Sequence, residues 1–361
     1  MAKPLFFVKR GDRLIARLKH LLYAWRFARE AGGRVIMIWP GLPGFWHQFD
    51  GSNYSPSLIF DLGELYRRGG SDDLVFVDGQ WQFPIDGKTL RAPEYDAMRN
   101  NRFERDVFKE PGLVFYEPNL MPYCFKDEKL LRPTLNAQIS ALYRALPLTL
   151  GVRRPLEAAR KALGADGYAA LHVRRGDIYE MLRRELPAIA DAPLSEAAFK
   201  RLMGHYVVRT APLEMYLPHV ERAVASGRKI AFFSDSPETF AWFAQRLGAR
   251  HFVDGKTFVA EQPLQKAMLD FAVMTDAAQI ISTRSNYGAL AADIGGVEHV
   301  IVSAQSYSTM NVDQAINLYY RQLIDQFVPK LPDKSAGAQS LHAEIRRLYL
   351  WVNRLPGDHV D

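Results

Sequence analysis

From Tyr168 onward, short unbroken apolar runs alternate with longer stretches of helical period, and this alternation restricts the fold more than any other feature of the chain. Runs of that kind suit strands buried on both faces, as in a parallel sheet covered by helices. They fall at Tyr168–Val173, Lys229–Ser234, His251–Val253, Gln279–Ser282 and Glu298–Val302. The spacing predicts helices over Ser195–Thr210, Pro212–Ala225, Pro237–Leu247, Gln262–Ala277 and Ser285–Asp293. Such a succession implies an α/β fold with mostly parallel sheets, whose ligands bind beyond the carboxyl ends of the strands.

The first half is less regular. Pro4–Val8 reads as a strand. Leu14, Leu18, Leu21, Leu22, Trp25 and Ala28 then recur at helical spacing, Gly32–Gly33 ends the helix, and Val35–Trp39 is the next strand. Leu74–Asp78 and Leu113–Tyr116 read as further strands. The polar stretch Gly79–Glu110 between them is either a surface excursion or part of an acceptor groove. Pro133–Leu146 is expected to be a helix and Pro147–Pro155 a link between halves. Helical segments at Val312–Phe327 and Ser335–Arg354 close the chain. The expected division is an N-terminal lobe on the acceptor side (1–150), a nucleotide-sugar-binding lobe (151–310), and terminal helices (311–361) folding back on the first lobe.

Charge narrows the partners. With 46 basic and 40 acidic residues, the formal charge of +6 favours anionic ligands. The basic residues are spread along the chain, without the dense runs or zinc spacing of nucleic-acid modules, so no nucleic-acid partner is expected. The single cysteine, Cys124, leaves no internal disulfide framework and fits a reducing compartment. The apolar run at the start is too short for a secretory leader, and no run approaches the roughly 18 apolar residues of a membrane span. A cytoplasmic location is expected, with contact to a membrane surface left open.

Three segments carry chemistry. His172-Val-Arg-Arg-Gly-Asp177 delivers an imidazole, two guanidinium groups and a carboxylate to the end of a buried strand. Guanidinium binds phosphate oxygens in a fork, a carboxylate can hold one guanidinium in place, and imidazole can bond a base or sugar. The bland alternative is a structural Arg–Asp pair. Arg175-Gly176-Asp177 is also an adhesion tripeptide, but a strand end in a cysteine-poor chain does not suit that use. Next, Ser234-Asp235-Ser236-Pro237 closes a strand and opens a helix. Asp235 and Ser236 there either cap the helix or contact a nucleoside. Finally, Leu269–Leu290 runs from a helix carrying Asp270 to a strand and then to Ser282-Thr283-Arg284-Ser285-Asn286. Hydroxyls and free N–H groups at a helix start can cradle phosphate, or simply cap the helix.

These segments resemble the three peptide motifs of the GDP-fucose-dependent fucosyltransferases, the group of α1,2-, core α1,6-, nodulation-factor and protein O-fucosyltransferases. The likeness is strongest over Tyr168–Gly296. In the first half it rests on Arg10-Gly11-Asp12-Arg13-Leu14, which resembles the first glycine loop of that group. The resemblance implies a GT-B-like architecture, two Rossmann-like lobes with mostly parallel sheets. It also implies inverting transfer of fucose or a related sugar from a GDP-sugar to a glycan hydroxyl, with no metal and no resident cofactor; a basic chain expected in the cytoplasm suits polysaccharide biosynthesis. The sequence has no D-x-D pair and no His/Cys ligand spacing. On this reading Arg174 neutralises the leaving diphosphate, with Arg175 beside it and Asp177 orienting one of the two. His172 and Asp270 match guanine contacts, and Asp235 with Ser236 a nucleoside-side contact. Ser285 and Asn286 match the β-phosphate region, with Arg284 as an added phosphate contact.

Three departures stand out: Asp235-Ser236 where many members carry a doubled acid, Gly-Asp-Arg in the first loop, and Arg284 where small residues are commoner. Glu180, with Glu185 behind it, is the candidate general base, although each also suits a solvated helix face. Trp39, Trp46, Tyr54, Trp81 and Tyr95 offer either sugar-stacking faces or ordinary packing. A catalytically inactive nucleotide-binding scaffold or regulator of glycan assembly is the competing reading. An epimerase would need a G-x-G-x-x-G fingerprint after the first strand, which is absent.

Overall fold

Strands apolar on both faces call for parallel neighbours, and every pairing between the strands described is parallel. The computed structural model describes residues 5–9, 13–39, 54–68, 73–78, 90–91, 113–115, 132–164, 167–187, 195–302, 310–329 and 335–354. They divide into two compact units: Met1–Ala159 with Phe258–Thr275 and Asp293–Gly296, and Arg160–Thr257 with Asp276–Ala292 and Val297–Asp361. Arg10, Gly11, Asp12, Trp46, Trp81, Tyr95 and most of the stretch 79–110 lie outside the described residues.

In chain order the first unit opens with β1 (Leu5–Lys9), α1 (Leu14–Glu30), β2 (Arg34–Trp39), α2 (Leu62–Arg67), β3 (Leu74–Asp78), β4 (Leu90–Arg91) and β5 (Leu113–Phe115). Its sheet has the order β3-β2-β1-β5-β4. α3 (Arg132–Ala145) and α4 (Leu150–Leu163) follow. α1 packs on β2 and α3, and Leu18, Leu21, Leu22, Phe27 and Ala28 are fully buried along it. Burying each large apolar side chain in this way contributes about 1.5–3 kcal/mol. Trp39 and Tyr54 are core residues, 2% and 3% exposed. The buried Arg17 guanidinium lies over both rings, 5.2 Å and 4.6 Å from their centroids. A guanidinium on an aromatic face is a stable way to bury charge, so neither ring is open to a sugar.

The second sheet is built from β6 (Tyr168–Val173), β7 (Lys229–Ser234), β8 (Phe252–Asp254), β9 (Gln279–Ser282) and β10 (Glu298–Ile301), in the order β10-β9-β6-β7-β8. This is the arrangement of a doubly wound half, with the first strand central. α5 (Gly176–Glu185), α6 (Glu196–Arg209) and α7 (Leu213–Ala225) separate β6 from β7. α8 (Pro237–Leu247), α9 (Pro263–Thr275) and α10 (Asn286–Gly295) fill the remaining crossovers, and α11 (Val312–Phe327) and α12 (Ala336–Arg354) end the described chain. Ser195 caps α6 by accepting from Ala198 N at 3.3 Å, and Asn311 with Gln314 forms a capping box on α11. No helix among the described residues is long and apolar enough to cross a membrane.

The fold of two Rossmann-like, parallel-sheet units is the one expected, but three assignments differ. Pro147–Pro155 is not a link: α4 begins at Leu150 and carries Pro155 within it. Val152, Leu156, Ala159 and Leu163 are buried at helical spacing, and that burial holds the helix despite the missing N–H. The terminal helices belong to the second unit, not the first. α12 packs on α6 and α11, and Ala315, Ile316, Tyr319 and Leu323 of α11 join the core formed by Leu202, Met203 and Tyr206. Finally, α9, with Asp270, is part of the first unit. It packs on α1, and its Phe271 meets Tyr143 edge-on at 5.8 Å.

Candidate functional site

Because β6 is central, the chain leaves it towards β7 on one side while β9 arrives on the other, which makes the switch point where doubly wound sheets bind ligands. Register makes the three predicted turns level. His172 pairs with Phe233 of β7 and with Ser282 of β9, and Val173 pairs with Ser234. Residues 174–177, 235–236 and 283–286 therefore emerge side by side at one end of the sheet.

The two arginines after β6 diverge, as consecutive residues leaving a strand do. Arg174 donates from Nε to Asp177 Oδ1 at 3.2 Å and from Nη2 to Oδ2 at 2.6 Å. Both side chains keep some exposure, 25% and 27%. Asp177 stands in the first turn of α5, where the helix dipole favours a carboxylate. A two-bond fork of this kind fixes the plane of the guanidinium and leaves its other N–H groups for an anion. Arg175 turns inward. It is 5% exposed, donates to the Tyr179 hydroxyl and to Ala211 O, and lies over the Tyr179 ring. Gln322 of α11 donates to the hydroxyls of Tyr179 and Tyr206 at 2.7 and 3.0 Å, so the guanidinium is joined to a buried polar network. Arg175, expected as a donor contact, has both terminal nitrogens engaged in the interior.

Asp235 caps a helix, but not its own. Its Oδ1 accepts from Arg175 N at 2.9 Å, at the start of α5. A Cβ on Gly176 would stand 2.7 Å from Asp235 Oδ2 and 2.9 Å from Cγ, so only glycine admits the carboxylate here. Ser236, beside it, does not cap α8 with its side chain. Its hydroxyl instead bonds Glu238, whose carboxyl is held below the usual range by its own backbone N–H and by that hydroxyl.

In the turn after β9, the Ser282 hydroxyl donates to Thr283 O at 2.9 Å and so meets His299 Nε2, 2.7 Å away, as acceptor. The Thr283 hydroxyl donates to Arg209 O at 2.9 Å, tying the end of α6 to this turn. Ser285 accepts from Gly288 N at 3.1 Å and caps α10, whose first residue, Asn286, is exposed. Arg284 leaves the turn and donates to Val352 O of α12 at 2.6 Å. That bond aims one nitrogen of the side chain, expected as a phosphate contact, at α12. Gly288 is a second position closed to side chains, since a Cβ there would fall on Ser282 Oγ and lie 3.0 Å from His299 Nε2. Gly288→Ala is expected to destabilise the second unit by about 1–3 kcal/mol, measured by denaturant unfolding.

His172 stacks on Tyr287, centroids 5.2 Å apart and planes 16° apart. Its Nδ1 is buried without a hydrogen-bond partner among the described residues. Burial, aided by the nearby Arg174, lowers its pKa to about 4, so the imidazole is neutral at pH 7. Two groups on α6 escaped the sequence reading: half-buried His205 and Arg209. Both are held below their ordinary pKa, chiefly by burial, and both feel Arg174 and Asp177. No local pattern marks them, because only the tertiary fold brings the end of α6 to the end of β6.

The strand ends thus gather His172, Arg174, Asp177, Asp235, Ser285 and Asn286, with Ser236 next to Asp235. Glu180 is exposed on α5. Asp270 belongs to the first unit and pairs there with Lys266. Among the described residues no group of three or more His, Cys, Asp or Glu side chains could hold a metal ion.

No protein-family model matches the sequence, and no curated protein does. Solved structures do match. The crystal structure of the fucosyltransferase NodZ from Bradyrhizobium is similar over 81% of this chain and 92% of its own, at 13% identity and a TM-score of 0.50. An apo form of POFUT1 aligns over 82% of this chain and 97% of its own, at 11% identity and a TM-score of 0.47. The likeness to NodZ is one of fold.

Proposed function

We propose that the second unit binds a GDP-sugar and that the protein transfers fucose or a related sugar from it to a glycan hydroxyl, with inversion and without a metal ion. The observation that carries this reading is the Arg174–Asp177 fork at the switch point of the sheet. The fold shared with NodZ supports it. As the bond from sugar to diphosphate breaks, negative charge grows on the β-phosphate. A guanidinium already locked in its plane then favours the transition state over the ground state. Asn286 and the start of α10 supply polar groups and a dipole for the same anion. The neutral His172, stacked on Tyr287, suits a contact to an uncharged base or sugar. Glu180, exposed one turn beyond Asp177, is our candidate to take the acceptor's proton.

Calorimetry of GDP, ADP and UDP without added metal tests the proposal. GDP is expected to bind at least about 30-fold more tightly than the other two, the discrimination that a few base-specific hydrogen bonds give. Equal binding of all three, or none, overturns it. Tight GDP binding with no turnover of GDP-fucose favours the scaffold reading instead.

A further inference from the structure

We propose that Arg209, at the last turn of α6, is a second cationic contact for the donor's diphosphate, with His205 one turn before it completing that wall of the site. This rests on the reading that a GDP-sugar is the ligand. The geometry begins with a tether: the Thr283 hydroxyl holds Arg209 O at 2.9 Å, which fixes the end of α6 against the turn leading into α10. That turn carries Ser285 and Asn286. The Arg209 side chain is half-buried, and its guanidinium has no hydrogen-bond or ion-pair partner among the described residues.

Arg209 contrasts with the other arginines of the region. Arg174 is held by Asp177, Arg175 by Tyr179 and Ala211 O, Arg284 by Val352 O, and Arg201 by Glu185 at 3.4 Å. Among the described residues Asp177, already forked to Arg174, is the carboxylate that acts on both His205 and Arg209. Two guanidinium groups, Arg174 and Arg209, beside one carboxylate leave a positive excess, and a bound dianion relieves it. An unpaired guanidinium beside a forked one is what a diphosphate, with two charged groups to satisfy, would use.

The test compares wild type, Arg209→Ala and Arg209→Lys by calorimetry with GDP and with guanosine, after thermal melting has shown each variant folded. Arg209→Ala is expected to weaken GDP by about 10- to 100-fold, as loss of a charge-assisted contact does, and to leave guanosine unchanged. Arg209→Lys should recover part of the loss. Unchanged GDP affinity in Arg209→Ala, with wild type binding GDP normally, overturns this inference and leaves the proposed function standing. An equal loss for guanosine and GDP also overturns it, because it would mean the residue acts only on the shape of the site. Wild type that binds no GDP overturns both.

Discussion

Replacing Arg174 with alanine is expected to lower turnover of a GDP-sugar by about 100-fold or more, the usual consequence of removing a preorganised group that meets transition-state charge. Stability should barely change. The Arg174–Asp177 pair is partly exposed and local, three residues apart, and such pairs contribute about 0–1 kcal/mol, so the melting temperature should move by no more than about 4 °C. Arg174→Lys keeps the charge but not the two-bond fork to Asp177, and an intermediate rate is expected. Initial rates of donor hydrolysis and of transfer, measured beside a melting curve, decide the matter. A variant that keeps its rate within about threefold of wild type removes the basis for the proposed function.

Its neighbour behaves in the opposite way. Arg175→Ala is expected to destabilise the second unit by about 2–4 kcal/mol, through lost stem packing and through buried acceptors left unmatched. The acceptors concerned are Ala211 O and the hydroxyl of Tyr179, the latter shared with Gln322 of α11. Calorimetric unfolding should show the corresponding transition falling by roughly 5 °C or more. Arg175→Met, which keeps the stem without the donors, should lie between alanine and wild type. If the transition does not move, the network around Arg175 is not what secures α5 and α11. If it falls as expected, two adjacent arginines have opposite signatures, one in rate and one in stability, a distinction no motif could supply.

Much of the second half was legible because its strands are short, apolar and bounded by helices of clear period. β6, β7 and β9 run as the apolar runs mark them, and α11 spans Val312–Phe327 as its spacing implies. What could not be read is where a helix docks. α9 is apolar around most of its surface, so period alone does not tell which neighbour it serves, and Asp270 travelled with it to the first unit. The face of α11 carrying Ile316, Tyr319 and Leu323 would bury equally well on either unit as far as pattern goes. α4 was hidden by Pro155 within it and Pro147 ahead of it, although Val152, Leu156 and Ala159 carry a helical signal. At the site, strand-end chemistry was visible as a cluster of polar residues, but the direction of each side chain was not. Asp235 and Ser285 both cap helices, as the plainer reading held for each, yet Asp235 caps α5 from across the sheet.

That cross-sheet cap has a consequence for how this sequence can drift. Gly176 and Asp235 are 59 residues apart, yet they share one volume, so neither can change alone without cost. A random library at position 176 should return almost only glycine while aspartate occupies 235. Larger residues at 176 should be recovered only alongside a shortened partner at 235, and the two positions should covary among descendants of this chain.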